Sequence, residues 1–175
     1  MSEGELEARA AGGDDVAFGA LVRLHQSKLR GFLLRMARGD HALADDLAQD
    51  TFLEAHRKIA CFRSEGSFAG WLYAIAYSRY LMTARRRKLE PLDDLDRPAD
   101  APEPVTASAA RLDLEKAMAT LPAAERAALT LCFALGLSHE EAAVRLAMPL
   151  GTLKSHVARG RSKLKAMLSD WAPAS

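Results

Sequence analysis

The sequence predicts an all-α protein built as two small helical domains. Three observations carry this. Alanine, leucine and arginine dominate the 175 residues, while β-branched side chains are scarce. No stretch alternates apolar and polar residues with period two over a useful length. Nearly every segment with regular apolar spacing repeats at helical intervals. The hydrophobic content is 49%, enough for packed cores and too high for a disordered chain. No apolar run approaches the roughly 20 residues that a membrane helix needs.

Asp14-Asp15 opens the first expected helix, which runs to about 34–38. Gly39 suits its end, and Asp40 suits the cap of the next helix at 41–59. Phe62-Arg63-Ser64-Glu65-Gly66 reads as a loop, after which Ser67 starts a helix through Lys88. Residues 89–110 hold Pro91, Pro98, Pro102 and Pro104, four of the seven prolines. Proline removes a backbone donor and disfavours helix in the residue before it, so this segment is expected to be an extended linker. It separates a domain at 1–88 from one at 111–175. In the second, helices are expected at 112–120, 123–134, 139–146 and 150–169.

The formal net charge is +1, which by itself argues against a nucleic-acid partner. The charges are segregated, however. Residues 1–88 carry 14 basic and 11 acidic side chains, residues 89–113 carry 2 and 7, and residues 114–175 carry 8 and 5. The three segments are therefore at +3, −5 and +3, and the near-zero total is a cancellation. Lys154, Arg159, Arg161, Lys163 and Lys165 fall within 151–165 with no acid among them.

Ser138-His139-Glu140-Glu141 has the pattern of a capping box, with Ser138 accepting from the Glu141 backbone and Glu141 reaching back. A short helix, the turn Ala147-Met148-Pro149 and a longer basic helix follow. This is the helix–turn–helix pattern, whose second helix enters the major groove of DNA. On the second helix, Leu150, Leu153, Val157, Leu164 and Leu168 share one face. Thr152, Ser155, Arg159, Ser162 and Lys163 lie opposite, with His156 at the edge. Arginine can donate two hydrogen bonds to guanine, and Ser or Thr can bond to bases or phosphates. Lys154 and Arg161 flank the apolar stripe, a position suited to phosphate. Gly160 is a local flaw, costing about 1 kcal/mol in a helix relative to alanine.

In the helix at 41–59, Ala44, Leu47, Ala48, Thr51, Phe52, Ala55 and Ile59 share the arc expected to face the core. Asp45, Asp46, Gln49, Asp50, His56 and Arg57 occupy the other arc, with Leu53 in its middle. A leucine ringed by acids and an amide has the form of a protein-binding patch with a polar rim, suited to a basic partner surface. Periodicity does not distinguish it from a solvated face. In the next helix, Tyr73, Tyr77 and Tyr80 form one stripe, while Phe68, Trp71, Leu72, Ile75 and Met82 form another roughly opposite. One stripe can pack the core and leave the other for a packing surface or for stacked bases, with Arg85-Arg86-Arg87-Lys88 supplying cations.

No catalytic or cofactor pattern is present. The five histidines show no metal or triad spacing, and no glycine-rich phosphate loop occurs. Cys61 and Cys132 lie far apart in no metal spacing and read as small buried apolar residues. The start, Met1–Ala11, is acidic and lacks the features of a signal peptide, so a cytoplasmic protein without metal, cofactor or membrane insertion is expected.

These features occur in one order: Asp-Asp-Leu-Ala-Gln-Asp-Thr-Phe at 45–52, Phe62-Arg63, Ser67-Phe68, Trp71-Leu72-Tyr73, the basic run at 85–88, Leu121-Pro122 with Arg126, and the helix–turn–helix motif at 136–161. Over about 15–88 and 111–169 the chain resembles bacterial RNA polymerase sigma factors of the sigma-70 family, extracytoplasmic-function (ECF) type. The resemblance implies a sigma-2 domain, a linker and a sigma-4 domain, with core polymerase, promoter DNA and an anti-sigma factor as partners. It implies that Asp45, Asp46, Gln49, Asp50 and Leu53 bind the clamp helices of the β′ subunit. It assigns the −10 element to Phe62, Arg63, Ser64, Trp71, Tyr77, Ser78, Arg85 and Arg86, with an extruded base held by the loop. It assigns the −35 element to Thr152, Lys154, Ser155, His156, Arg159 and Arg161, on a domain docked to the β flap. The acidic linker would thread toward the RNA exit path. Family members usually carry Arg and Asn at the positions of Tyr77 and Ser78, Asp at that of Met82, and alanine at that of Gly160. The alternative is a sigma mimic that sequesters an anti-sigma factor without binding DNA.

Overall fold

The computed structural model describes residues 1–63, 66–89 and 108–169. Among these there are eight α-helices and no strand: α1 (Glu3–Ala11), α2 (Asp15–Met36), α3 (His41–Lys58), α4 (Phe68–Leu89), α5 (Ala109–Thr120), α6 (Ala123–Leu129), α7 (His139–Arg145) and α8 (Leu150–Ser169). The chain divides into two compact units, residues 1–33 with 42–97, and residues 34–41 with 98–175. Most of the expected linker, including all four of its prolines, lies outside the described residues. No helix among the described residues is long and apolar enough to cross a membrane.

The first unit begins with a helix that the sequence pattern did not lead us to expect. Ser2 accepts from the Glu5 backbone, and the Glu5 side chain accepts from the Ser2 backbone, forming a capping box that starts α1. After the turn at Gly12-Gly13, Asp14 Oδ1 accepts from the amides of Val16 and Ala17 at 2.9 and 3.0 Å and caps α2. Those backbone bonds and the guanidinium of Arg9 hold the Asp14 carboxyl below its usual range. α1 is tied to the rest of the unit by two further bonds. Glu3 Oε1 lies 2.8 Å from Nε2 of the buried His25, and Glu7 Oε1 accepts from the Phe68 amide at 3.4 Å.

Leu21, Leu29, Phe32 and Leu33 of α2, Ala44, Leu47 and Ala55 of α3, and Phe68, Leu72 and Ala76 of α4 fill the core of this unit. Thr51, fully buried, returns its hydroxyl to the Leu47 carbonyl at 2.6 Å, so it costs no unsatisfied group. α3 gives way to a 3₁₀ turn at Ile59–Cys61, which places Cys61 at the surface. The expectation of a buried Cys61 is thereby corrected: the turn ends the helical register before the residue reaches the core. Ser67 Oγ accepts from the Gly70 amide at 3.1 Å and opens α4 one residue later than expected.

In the second unit Ser108 caps α5, extending it three residues ahead of the expected start. The helix expected at 123–134 is instead α6 followed by a π-helical turn at Thr130–Ala134, which ends at Gly136 with φ 70°. Cys132 lies in this turn, half-buried, and burial raises its thiol pKa. The capping box at Ser138 forms, with Ser138 N donating to Glu141 Oε2 at 2.8 Å and Glu141 N donating to Ser138 Oγ at 3.1 Å. Leu121, Ala127, Ala128, Leu131, Ala142, Leu153 and Val157 make the core. Arg126 is fully buried among them and donates from Nη1 to the Leu121 carbonyl at 2.7 Å, bracing the turn between α5 and α6.

Candidate functional site

The residues singled out from the sequence lie on three surfaces, two in the first unit and one in the second. On α3, the inward arc is occupied as its spacing requires, with Ala44, Leu47, Thr51 and Ala55 buried. The opposite arc exposes Asp45, Asp46, Gln49 and Asp50, and Leu53 is 50% exposed at its centre. Asp45 is held by Arg30, whose Nε lies 2.5 Å from Oδ1. The side chains of Asp46, Gln49 and Asp50 make no hydrogen bond or ion pair with another described residue. The unsatisfied negative charge is thus concentrated beside Leu53. Toward the end of α3, Glu54 pairs with Lys58 at 2.6 Å and with Arg79 of α4 at 2.8 Å, fixing the helix and its outer face. The Lys58 hydrogen bond, followed by the charges of Lys58 and Arg79, lowers the Glu54 pKa.

The second surface is the segment before α4 and the outer side of that helix. Phe62 is half-buried, packing against Phe68 and Trp71 with ring centroids 5.9 and 5.2 Å away. Arg63 is exposed, and Ser64 lies outside the described residues. The two aromatic stripes of α4 do not divide into one inside and one outside. Tyr73 and Tyr77 are buried together with Phe68, Leu72 and Ala76. Phe32 meets the Tyr73 ring edge-on at 5.4 Å, and burial pushes the Tyr73 hydroxyl up to about 12. Tyr77, 7% exposed, is a correction to the −10 set. Its ring serves the core and offers no face to a base. The open side of α4 runs through half-buried Trp71 and Ile75 to exposed Ser78, Met82, Arg85 and Arg86. Trp71, Ile75, Ser78, Met82 and Arg85 fall within about 40° of one line along the helix.

The third surface is α8, which enters from a turn that places Ala147 at φ 51°. Leu153 and Val157 are buried, and Thr152, Lys154, Ser155, Arg159, Arg161, Ser162 and Lys163 are exposed. His156 is half-buried at the edge. Ser155 returns its hydroxyl to the Gly151 carbonyl at 3.0 Å. The Arg161 guanidinium lies 5.6 Å from the ring centre of Phe133, itself 62% exposed, so this cation is steadied by an aromatic face.

One residue here was not singled out by sequence pattern, and another was read there only as a flaw. Glu125 of α6 is 4% exposed and receives Lys163 Nζ at 3.0 Å from both carboxylate oxygens. Its placement four residues from both Leu121 and Leu129 was the available signal of an acid on a core stripe. Gly160 is buried, and a Cβ there would lie 2.7 Å from Leu129 Cδ1. The apparent flaw is a close helix crossing.

Family models for sigma-70 region 2 and sigma-70 region 4 match residues 21–90 and 111–164. The RNA polymerase sigma factor NccH of Alcaligenes xylosoxydans xylosoxydans is 34% identical over 175 residues, covering 94% of both chains. The chain belongs to the sigma-70 family, in its ECF group. The ECF RNA polymerase sigma factor SigE of Mycolicibacterium smegmatis is 37% identical over 157 residues, 85% of this chain, which spans 60% of that protein's length. The sigma factor RpoE of Bartonella quintana, solved in complex with the anti-sigma factor NepR, superposes with a TM-score of 0.76 at 30% identity, over 87% of this chain and 96% of that one. The surfaces on α3 and α4 thus belong to sigma region 2, and α8 belongs to region 4. Sigma factors are initiation factors rather than enzymes.

Proposed function

We propose that this sigma factor binds core RNA polymerase and directs it to promoters with −10 and −35 elements, acting in the cytoplasm with no catalytic residue of its own. One observation carries the reading: an acidic face centred on an exposed leucine and an acid-free basic helix face occupy separate units of one chain. The first has the form of a protein interface, and the second that of a DNA interface. Asp46, Gln49, Asp50 and Leu53, with Asp45 at their edge, take the β′ clamp helices, and region 4 docks to the β flap. Phe62, Arg63, Ser64, Trp71, Ser78, Arg85 and Arg86 take the −10 element, with Trp71 and Phe62 as the stacking groups. Thr152, Lys154, Ser155, His156, Arg159 and Arg161 take the −35 element. The NepR-bound RpoE supports an anti-sigma factor as a further partner.

Run-off transcription with purified core polymerase and a promoter library tests this reading. Promoter-dependent initiation is the expected result. Core binding without transcription from any template would instead identify a mimic. At the −35 element, Arg159→Ala should cost about 1–3 kcal/mol at one base position and leave the others unchanged. A small loss spread evenly over all sequences, read from binding to single-base variants, would reduce Arg159 to a phosphate contact.

A further inference from the structure

We propose that Glu125, a buried acid on α6 outside the recognition helix, is a positioning residue that aims Arg159 and thereby sets how sharply one base of the −35 element is discriminated. The inference rests on the −35 reading of Arg159.

Glu125 is 4% exposed, and the partners of its carboxylate across the helix crossing are two cations of α8. Lys163 Nζ reaches both oxygens at 3.0 Å, and Arg159 Nε stands 3.9 Å from Oε1. A buried charge is tolerated only when paired, so the carboxylate constrains where these two side chains can go. The crossing makes this possible. Gly160 lies between Arg159 and Lys163 in sequence, and its missing Cβ lets α8 approach Leu129 and Glu125 of α6. A carboxylate seated under the helix thereby meets side chains that emerge on its exposed face.

The consequence falls on Arg159 more than on Lys163. Lysine carries a compact charge on a flexible stem, whereas arginine reads guanine by a planar fork whose orientation matters. Arg159 Nε also lies 3.4 Å from the Ser155 carbonyl, and Nη2 lies 3.3 Å from His156 Nδ1. With Nε turned toward Glu125 and Ser155 and one Nη2 hydrogen toward His156, the remaining terminal N–H groups are the part left to meet a base. Lys163 completes the carboxylate, so Arg159 is attracted without being drawn into a short bond that would remove it from the groove. The side chain remains 58% exposed, restrained yet available.

The test uses holoenzyme assembled from core polymerase and the full chain, selecting from duplex promoters randomised across the −35 positions. The readout is the ratio of the best to the worst base at each position. This ratio is independent of how much protein is active, so partial unfolding of a variant does not imitate the effect. Arg159→Ala flattens one position. Glu125→Gln is expected to lower the ratio at that same position about five-fold, to leave the other positions unchanged, and to add nothing in the Arg159→Ala background. Overall DNA binding should not fall, since a negative charge has left the basic face. If Arg159→Ala flattens a position and Glu125→Gln leaves it intact, Glu125 has no positioning role and the −35 reading stands. Weaker binding with unchanged ratios would mean a purely structural Glu125 and overturn the proposal. If Arg159→Ala itself flattens nothing, the −35 reading of Arg159 fails and takes the proposal with it.

Discussion

Asp46→Arg is expected to weaken binding to core RNA polymerase at least ~100-fold, a loss of about 3 kcal/mol. Asp46 is exposed on α3 and makes no side-chain bond to another described residue, so the substitution removes nothing from the fold. Exposed substitutions of this kind stay within about 0.5 kcal/mol in stability. At an interface the same change places a cation against a basic partner surface, and such like-charge contacts cost several kcal/mol. Asp45 is a weaker choice because Arg30 already satisfies part of its charge. Core affinity measured by fluorescence anisotropy, together with helical content by circular dichroism, checks the prediction. Unchanged affinity in a folded variant would remove this face from the polymerase interface.

Gly160→Val is expected to destabilise the second unit by about 3 kcal/mol. A Cβ at this position would lie 2.7 Å from Leu129 Cδ1, 3.2 Å from Leu129 Cγ and 3.5 Å from Glu125 Cβ. Leu129 is 4% exposed, so it has little room to turn aside. Overpacking costs about 1–3 kcal/mol or more, and valine adds two methyl groups beyond the Cβ. The gain from replacing glycine in a helix is well under 1 kcal/mol and does not offset it. A small unit holds only a few kcal/mol in total, so the melting transition should fall by roughly 10 °C or more. Gly151 is the internal control. It lies in the same helix, is exposed and has nothing within 4 Å of its would-be Cβ, so Gly151→Ala should raise stability slightly. If both variants melt as the parent does, the close crossing is not a packing constraint.

Much of the candidate site was legible residue by residue. The outward arc of α3 could be read because its apolar positions repeat cleanly, leaving Asp45, Asp46, Gln49, Asp50 and Leu53 on the other side. The capping box at Ser138 and the stripe of Leu153 and Val157 defined the helix–turn–helix and the open face of α8 in the same way. α4 resisted this reading. Apolar and aromatic residues surround it, and both stripes contribute to the core, so periodicity could not tell that Tyr77 points inward while Ser78 points out. α1 carried a readable signal in Ser2 and Glu5, obscured because the segment is acidic and short.

The sequence alone determined what each helix does on its own: where it is capped, which side is apolar, and where cations and acids gather along it. These are local properties, set by residues within a turn or two of one another. Tertiary structure alone decided the role of Gly160 and Glu125. The worth of a missing methyl group depends on how closely another helix crosses, and the effect of a buried carboxylate depends on which cations lie across that crossing. Both are set by the distance between α6 and α8, segments about 35 residues apart in the chain whose approach no periodicity within either helix encodes.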